Sequence, residues 1–264
     1  MNLNPWLLGT AVWFVISGSI CLYRRNNGLV DIFWGLGFVI LAAFTYSSRT
    51  IHSMESLVVT GLILIWGLRL SIYLFSRNWN KPEDFRYANW RKGWGTHWVL
   101  SSILKVYVLQ GVIMQAIAIP IFVTNVMNQA ALGDLAKRPS YFVVMGGLIS
   151  LVGIVIEAMS DRQKSIFKSD SLNEQKLCRV GLWKISRHPN YLGEIINWIG
   201  IGIVPLGLEW GWIALISPLL ITLLLYFVSG VPLLEKRLEG RPDFEDYKRT
   251  TGAIFPKLIG SKCP

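Results

Sequence analysis

The chain has 264 residues, 52% of them hydrophobic and 16% charged, with 12 Trp, 9 Tyr and 12 Phe and a mean hydropathy of +0.43. That balance excludes an ordinary soluble domain and points to a membrane protein with several spans. The net charge of +10 then has a membrane explanation, as orientation signal and attraction to anionic headgroups, before a nucleic-acid one. No nucleic-acid partner is expected, and membrane lipid is.

Seven apolar runs of spanning length follow one another, at roughly 5–23, 28–46, 55–76, 98–125, 141–160, 190–208 and 211–232. The first could be mistaken for a signal peptide, but MNLNPW carries no positive charge and Arg24 and Arg25 follow the run, so it reads as a retained anchor. The fourth contains Pro120, which predicts a long tilted or kinked helix. The hydrophilic stretches 77–97, 161–189 and 233–264 are each too short for an independent core. The expected fold is therefore an all-α integral membrane protein, 1–264 forming a single polytopic domain with no soluble domain. Without an internal repeat, a transporter built from inverted halves is disfavoured.

The basic residues test the span count. With seven spans, the loops after the first, third and fifth and the C-terminal tail share one side, and they hold 21 of the 26 Lys and Arg. The opposite side holds Arg49, Lys137 and Arg138. This positive-inside asymmetry predicts an N-terminus outside and a cytoplasmic C-terminus.

Cys21, Cys178 and Cys263 show no paired spacing, and His52, His97 and His188 are scattered, so neither a disulfide scaffold nor a metal site is expected. There is no GxGxxG and no P-loop; a nucleotide would bind outside a Rossmann domain.

Ionisable groups within spans are costly unless paired or hydrated. Asp31, Arg69, Lys105, Glu157 and Glu194 all fall in the cytoplasmic leaflet of the predicted topology, and Glu55 at the other end. Helical spacing aligns Arg69, Tyr73 and Arg77 on one face, Glu157 with Asp161 on a second, and Asn190 with Glu194 on a third. The bland alternative is a set of structural pairs joining helices, with snorkelling Arg and Lys. Five such groups in one leaflet, beside three basic segments, favour a functional cavity facing the cytoplasm.

"RVGLWKISRHPNYLGEIINWIG", with "RPDFEDYKRTTGAIFPK" after the last span, resembles the C-terminal region of the steroid 5α-reductase family. The likeness is to its bacterial branch of membrane proteins, domain of unknown function 1295. "VDIFWGLGF" and "WGLRLSIYLFSRNWNKPEDFRY" resemble the same branch, and residues 141–264 form the most family-like half.

The resemblance implies a seven-helix enzyme of the bacterial inner membrane. It would hold NADPH and reduce a carbon–carbon double bond conjugated to a carbonyl, as in a 3-oxo-Δ4-steroid or another lipophilic enone, with no obligatory protein partner. It matches Tyr73 to the catalytic tyrosine, a neutral donor for the carbonyl oxygen. Vertebrate members pair that tyrosine with a glutamate preceded by glutamine, whereas Glu55 follows Met54 and lies at the outer end. Asp31, in the cytoplasmic leaflet, could orient or replace that partner.

"IEAMSDRQKSIFK" resembles the dinucleotide-contact segment. In it Glu157 and Asp161 would accept from adenine amine or ribose hydroxyls, and Lys168, with Arg179 and Arg187, would neutralise the phosphates. Asn190 and Glu194, with Tyr191 between them, match residues that hydrogen-bond the nicotinamide carboxamide end, and His188 with Pro189 sets the turn that delivers them. Arg77 and Arg86 would close over the other end of the cofactor. "RHPNYLG" also resembles membrane methyltransferases of the isoprenylcysteine carboxyl type, so an S-adenosylmethionine-dependent enzyme is the alternative, and a non-catalytic lipid-binding protein a third.

Overall fold

The computed structural model describes residues 5–127 and 140–257; Lys137, Arg138 and Cys263 lie outside the described residues. Among the described residues the protein is helical, with one isolated parallel bridge between Ser186 and Gly252 and no strand. Six helical segments are long and apolar enough to cross a membrane: Trp6–Tyr23, Asn27–Ser47, Met54–Asn78, Phe85–Ile117, Tyr141–Ser169 and Gly211–Glu235. These are consistent with an integral membrane protein. The sixth run of the sequence forms a 15-residue helix, Pro189–Ile203, continued by a 3-10 turn, Val204–Gly207. Its α-helical part, about 22 Å long, is shorter than a hydrocarbon core of about 30 Å.

Contacts divide the chain into two compact units, Met1–Gly147 with Ile201–Ser217, and Leu148–Gly200 with Pro218–Pro264.

The first unit holds α1 (Pro5–Tyr23), α2 (Val30–Ser47), α3 (Met54–Asn78), α4 (Phe85–Trp94), α5 (Trp98–Ser102), α6 (Leu109–Ile117) and α7 (Ile119–Phe122). Ser53 caps α3 by accepting from the Ser56 amide at 3.0 Å, and Asp84 caps α4 by accepting from Arg86 N at 3.0 Å; each satisfies an amide that the helix start leaves open. The kink expected around Pro120 falls at Ala118, where ψ turns to 4° and α7 begins with Pro120 in its first turn. A proline is tolerated there because first-turn amides have no helical partner.

Antiparallel α2 and α3 cross at Gly35 and Gly67. A Cβ on Gly35 would lie 2.6 Å from the Gly67 carbonyl oxygen, and one on Gly67 would lie 2.7 Å from the Gly35 carbonyl oxygen. Small residues at such crossings let backbones approach where apolar burial gives no driving force. At the far end of these helices, Asn125 accepts from Ser56 at 2.7 Å and donates to Thr45 and Thr60, each at 3.1 Å. An amide with its partners in place ties three elements together without a charge. At the other end Asn27, 1% exposed, donates its backbone N–H to Glu83 at 2.7 Å and its amide to Ser102 at 2.8 Å, and accepts from Tyr107 at 2.6 Å.

The second unit holds most of α8 (Tyr141–Ser169) and of α9 (Pro189–Ile203), then most of α10 (Ile216–Leu223), α11 (Val231–Glu235) and α12 (Pro242–Thr250). Within it α8 shows the membrane version of amphipathicity. Leu148, Val152, Val155 and Met159 are exposed, while Ser150, Gly153, Glu157, Ser160 and Asp161 are buried. The apolar stripe faces outward and the small and polar stripe faces α9. The contact is again glycine on glycine: a Cβ on Gly153 would lie 2.2 Å from Asn197 N, and one on Gly193 would lie 2.5 Å from Glu157 N. Ser150 adds a 2.6 Å hydrogen bond to the Asn197 side chain.

Because the atoms facing Gly193 are backbone, they cannot give way. Gly193→Ala is expected to lower the thermal midpoint in detergent by the equivalent of about 1–3 kcal/mol, whereas Gly61→Ala, with nothing within 4 Å, is expected to leave it unchanged or higher. Equal effects would contradict close backbone packing.

Candidate functional site

The polar residues singled out by the sequence fall into both units. In the first, the Asp31 carboxylate in the opening turn of α2 accepts from Tyr87 Oη at 3.2 Å, and the Arg86 guanidinium lies 3.6 Å away. Arg86 is itself held by Asp84, Nε to Oδ1 at 2.9 Å. Tyr73 is half-buried near the end of α3, with the Arg77 guanidinium 5.2 Å from its ring centroid, a cation–π distance. Among the described residues no hydrogen bond joins Tyr73 to Asp31. Arg77 is exposed and donates to Asn78 at 3.0 Å.

In the second unit, the glycine crossing seats Glu157 against Gly193, next in sequence to Glu194. Glu157 and Asp161 are 4% and 6% exposed, one turn apart on α8. Glu194 accepts from Trp198 Nε1 at 3.0 Å, one turn on along α9. Asn190, in the first turn of α9, has its Oδ1 buried without a hydrogen-bond partner among the described residues. Unmet acceptors of this kind fit a ligand that brings N–H or O–H groups.

The cations that the resemblance assigns to phosphates are engaged within the protein. Lys168 donates to three backbone carbonyls, of Asn173, Glu174 and Lys176, at 3.0, 2.6 and 2.8 Å, closing the turn after α8. Arg179 pairs with Asp246 at 2.9 Å, donates to the Asp243 carbonyl and lies 4.7 Å from the Tyr247 ring centroid. Lys168 is exposed and Arg179 half-buried, and a partly exposed pair such as Arg179–Asp246 is worth about 0–1 kcal/mol.

Arg187 is different. It is 7% exposed and forks onto Glu235, Nε to Oε1 at 2.8 Å and Nη2 to Oε2 at 3.0 Å, while also donating to the Thr251 carbonyl. His188 Nε2 shares Glu235 Oε1 at 3.0 Å, and its ring stacks on Tyr191 at 5.2 Å. The amides of Arg187 and His188 donate to the carbonyls of Gly252 and Ala253, each at 2.9 Å. This knot fixes the turn that starts α9. Sequence reasoning missed Glu235 and Tyr87. Tyr87 follows directly on the selected Arg86 and Glu235 stands in "LLEKR", but nothing in the spacing shows which carboxylate meets which cation.

Residues 13–251 match the family described as "Protein of unknown function (DUF1295)". The chain belongs to the DUF1295 family. Every residue that the sequence singled out for the site lies inside the DUF1295 match. An uncharacterized protein of Schizosaccharomyces pombe, C594.04c, is 23% identical over 301 residues, spanning 98% of this chain and 82% of its own. The probable O-methyltransferase ustE of Ustilaginoidea virens is 28% identical over 88 residues, 33% of this chain and 30% of its own.

The residues present fit a nucleoside-bearing cofactor at its uncharged end. Glu157, Asp161 and the open Asn190 oxygen offer acceptors to amines, hydroxyls or a carboxamide, in a setting shielded from water. Of the cations the resemblance assigns to phosphates, Lys168 is exposed and Arg179 half-buried, whereas Arg187 is committed to Glu235.

Removing Arg187 would leave Glu235 buried without its main partner. Arg187→Ala is expected to cost about 3–5 kcal/mol of stability, and Arg187→Lys to restore only part, since an ammonium cannot make the fork. An Arg187→Ala protein that unfolds like the wild type would contradict this. Burial also pushes the His188 imidazole below its ordinary range, a shift opposed by its hydrogen bond to Glu235. Arg187 already balances that carboxylate. His188 therefore takes up a proton less readily when folded than when unfolded, so its contribution is intact above about pH 6.5 and is lost as the pH falls through its lowered value. The thermal midpoint is expected to drop between pH 7 and pH 5, with a shallower slope in His188→Gln.

Proposed function

We propose that the protein is a membrane-embedded, NADPH-dependent reductase of a carbon–carbon double bond conjugated to a carbonyl, acting on a lipophilic enone. In this reading it is a bacterial inner-membrane member of the steroid 5α-reductase group. It spans the membrane seven times with α9 as the sixth span, its N-terminus outside and the cofactor entering from the cytoplasm. The observation that carries the reading is the acceptor set of the second unit, Glu157, Asp161 and the open Asn190 oxygen, on sequence that resembles the reductases' cofactor segment.

NADPH, when bound, supplies a hydride to the β-carbon. The chain's own residues have the remaining tasks. Asn190 and Glu194 orient the carboxamide end, Glu157 and Asp161 hold amine and hydroxyl groups, and Lys168 and Arg179 exchange their surface contacts for phosphate. Tyr73 donates a hydrogen bond to the substrate carbonyl oxygen as negative charge develops there, with Asp31 as its acidic counterpart, and the enolate left by hydride addition takes up a solvent proton at its α-carbon. A neutral phenol makes that hydrogen bond without placing a permanent charge among apolar helices.

Methyl transfer from S-adenosylmethionine is the second reading. The similarity to the probable O-methyltransferase ustE favours it.

Purified protein in nanodiscs separates the two. The reductase reading predicts retention of NADPH, and an enone-dependent NADPH oxidation that falls about 10²–10³-fold in Tyr73→Phe, a loss typical of one oxyanion donor, with NADPH affinity nearly unchanged. An unchanged Tyr73→Phe rate removes Tyr73 from the chemistry. Retention of S-adenosylmethionine instead of NADPH overturns the reductase, and a protein that binds neither is a non-catalytic lipid binder.

A further inference from the structure

The tyrosine that carries an acidic partner in the first unit is Tyr87. It is 6% exposed, in the first turn of α4, and its hydroxyl meets two groups. Its Oη lies 3.2 Å from Asp31 Oδ1 and 3.4 Å from Gln110 Nε2. A carboxylate can only accept, so the tyrosine hydrogen points to Asp31 and its oxygen accepts from the Gln110 amide. The chain Gln110 to Tyr87 to Asp31 thus has one direction. Arg86 completes the setting: its Nη2 is 3.6 Å from Asp31 Oδ2 while its Nε is held by Asp84. Asp31 is gripped from one side by the neighbouring residues Arg86 and Tyr87, each anchored a second time, by Asp84 and Gln110. The Asp31 side chain still keeps 32% of its surface open.

A carboxylate needed only to glue α2 to α4 would be satisfied by Arg86 alone. A hydrogen bond from Tyr87 to one oxygen, with the Arg86 charge 3.6 Å from the other, biases the direction of the remaining lone pairs of a partly open carboxylate, as a group that must act on something else requires. We propose that Tyr87 is a positioning residue for Asp31, with Gln110 setting its hydroxyl, so that the open side of the carboxylate is presented in one orientation. The proposal rests on the reading of Asp31 as the acidic group of the reductase.

Two measurements test it. The first needs no turnover: infrared spectra of protein labelled with 13C-aspartate, in which Asp31→Asn identifies the Asp31 carboxylate band. Tyr87→Phe is expected to shift that band as a hydrogen bond is lost, and Gln110→Leu to shift it less; a band unmoved by Tyr87→Phe overturns the pairing. The second is a kinetic cycle. Tyr87→Phe is expected to lower kcat at least tenfold with KM and NADPH affinity within about twofold, and to lower it no further in the Asp31→Asn background. Equal losses in both backgrounds would show that Tyr87 acts only on folding and would overturn the positioning role. If the wild type turns over no enone while the band shifts, the reductase reading fails, and with it the catalytic use of the pair, while the pairing stands.

Discussion

Two backbone contacts decide where the polar chemistry of this protein can be. With a Cβ on Gly193 only 2.5 Å from the Glu157 amide nitrogen, and one on Gly35 only 2.6 Å from the Gly67 carbonyl, no residue but glycine lets these helices come together. In a membrane, apolar side chains gain nothing by leaving lipid for one another, so close backbone approach and interhelical hydrogen bonds must hold the helices. The crossing in the second unit also brings α9 against the buried stripe of α8, where Glu157 and Asp161 would otherwise have to face hydrocarbon. In the first unit the Gly35–Gly67 crossing lies one helical turn from Asp31 along α2.

Once packed, buried polar groups divide by how completely they are satisfied. Asn125, Asn27 and the Arg187–Glu235–His188 knot have their partners in the protein, and such groups stiffen a fold. Asp31 keeps part of its surface open and Asn190 keeps an unmet acceptor. Both stand at or near the start of a helix, α2 and α9, and both belong to sets the sequence singled out for function. The difference separates residues that build the site from those available to a ligand, and it moves Arg187 to the building group although its motif suggested phosphate.

How much was legible in the sequence follows from the same physics. Long apolar runs announce six helices because nothing else in a chain needs eighteen residues with so few charges. The run at 190–208 was harder: Pro205 and Gly207 convert its end to a 3-10 turn, a local effect that hydropathy averages away. Helical spacing correctly aligned Glu157 with Asp161 and Asn190 with Glu194 on their helices, since the i, i+4 relation is geometry. Pairings across helices were not legible. The partners of Asp31 and Arg187 stand 56 and 48 residues away in the chain, and the helical segment 85–94 lay inside a stretch read as a hydrophilic loop because Arg86, Arg91 and Lys92 interrupt its aromatic residues. Gly153 and Gly193 carried a signal, a glycine one turn before Glu157 and one beside Glu194, but a lone glycine in an apolar helix does not name the helix it meets.

The proposed reductase stands or falls with cofactor binding in the second unit. Photolabelling with a 2-azidoadenine analogue of NADP, followed by peptide mapping, tests that directly. Label on peptides from 157–163 or 190–198, displaced by excess NADPH and reduced in Glu157→Gln, is the predicted result. Label confined to residues outside the second unit, or incorporation indifferent to NADPH, would contradict it.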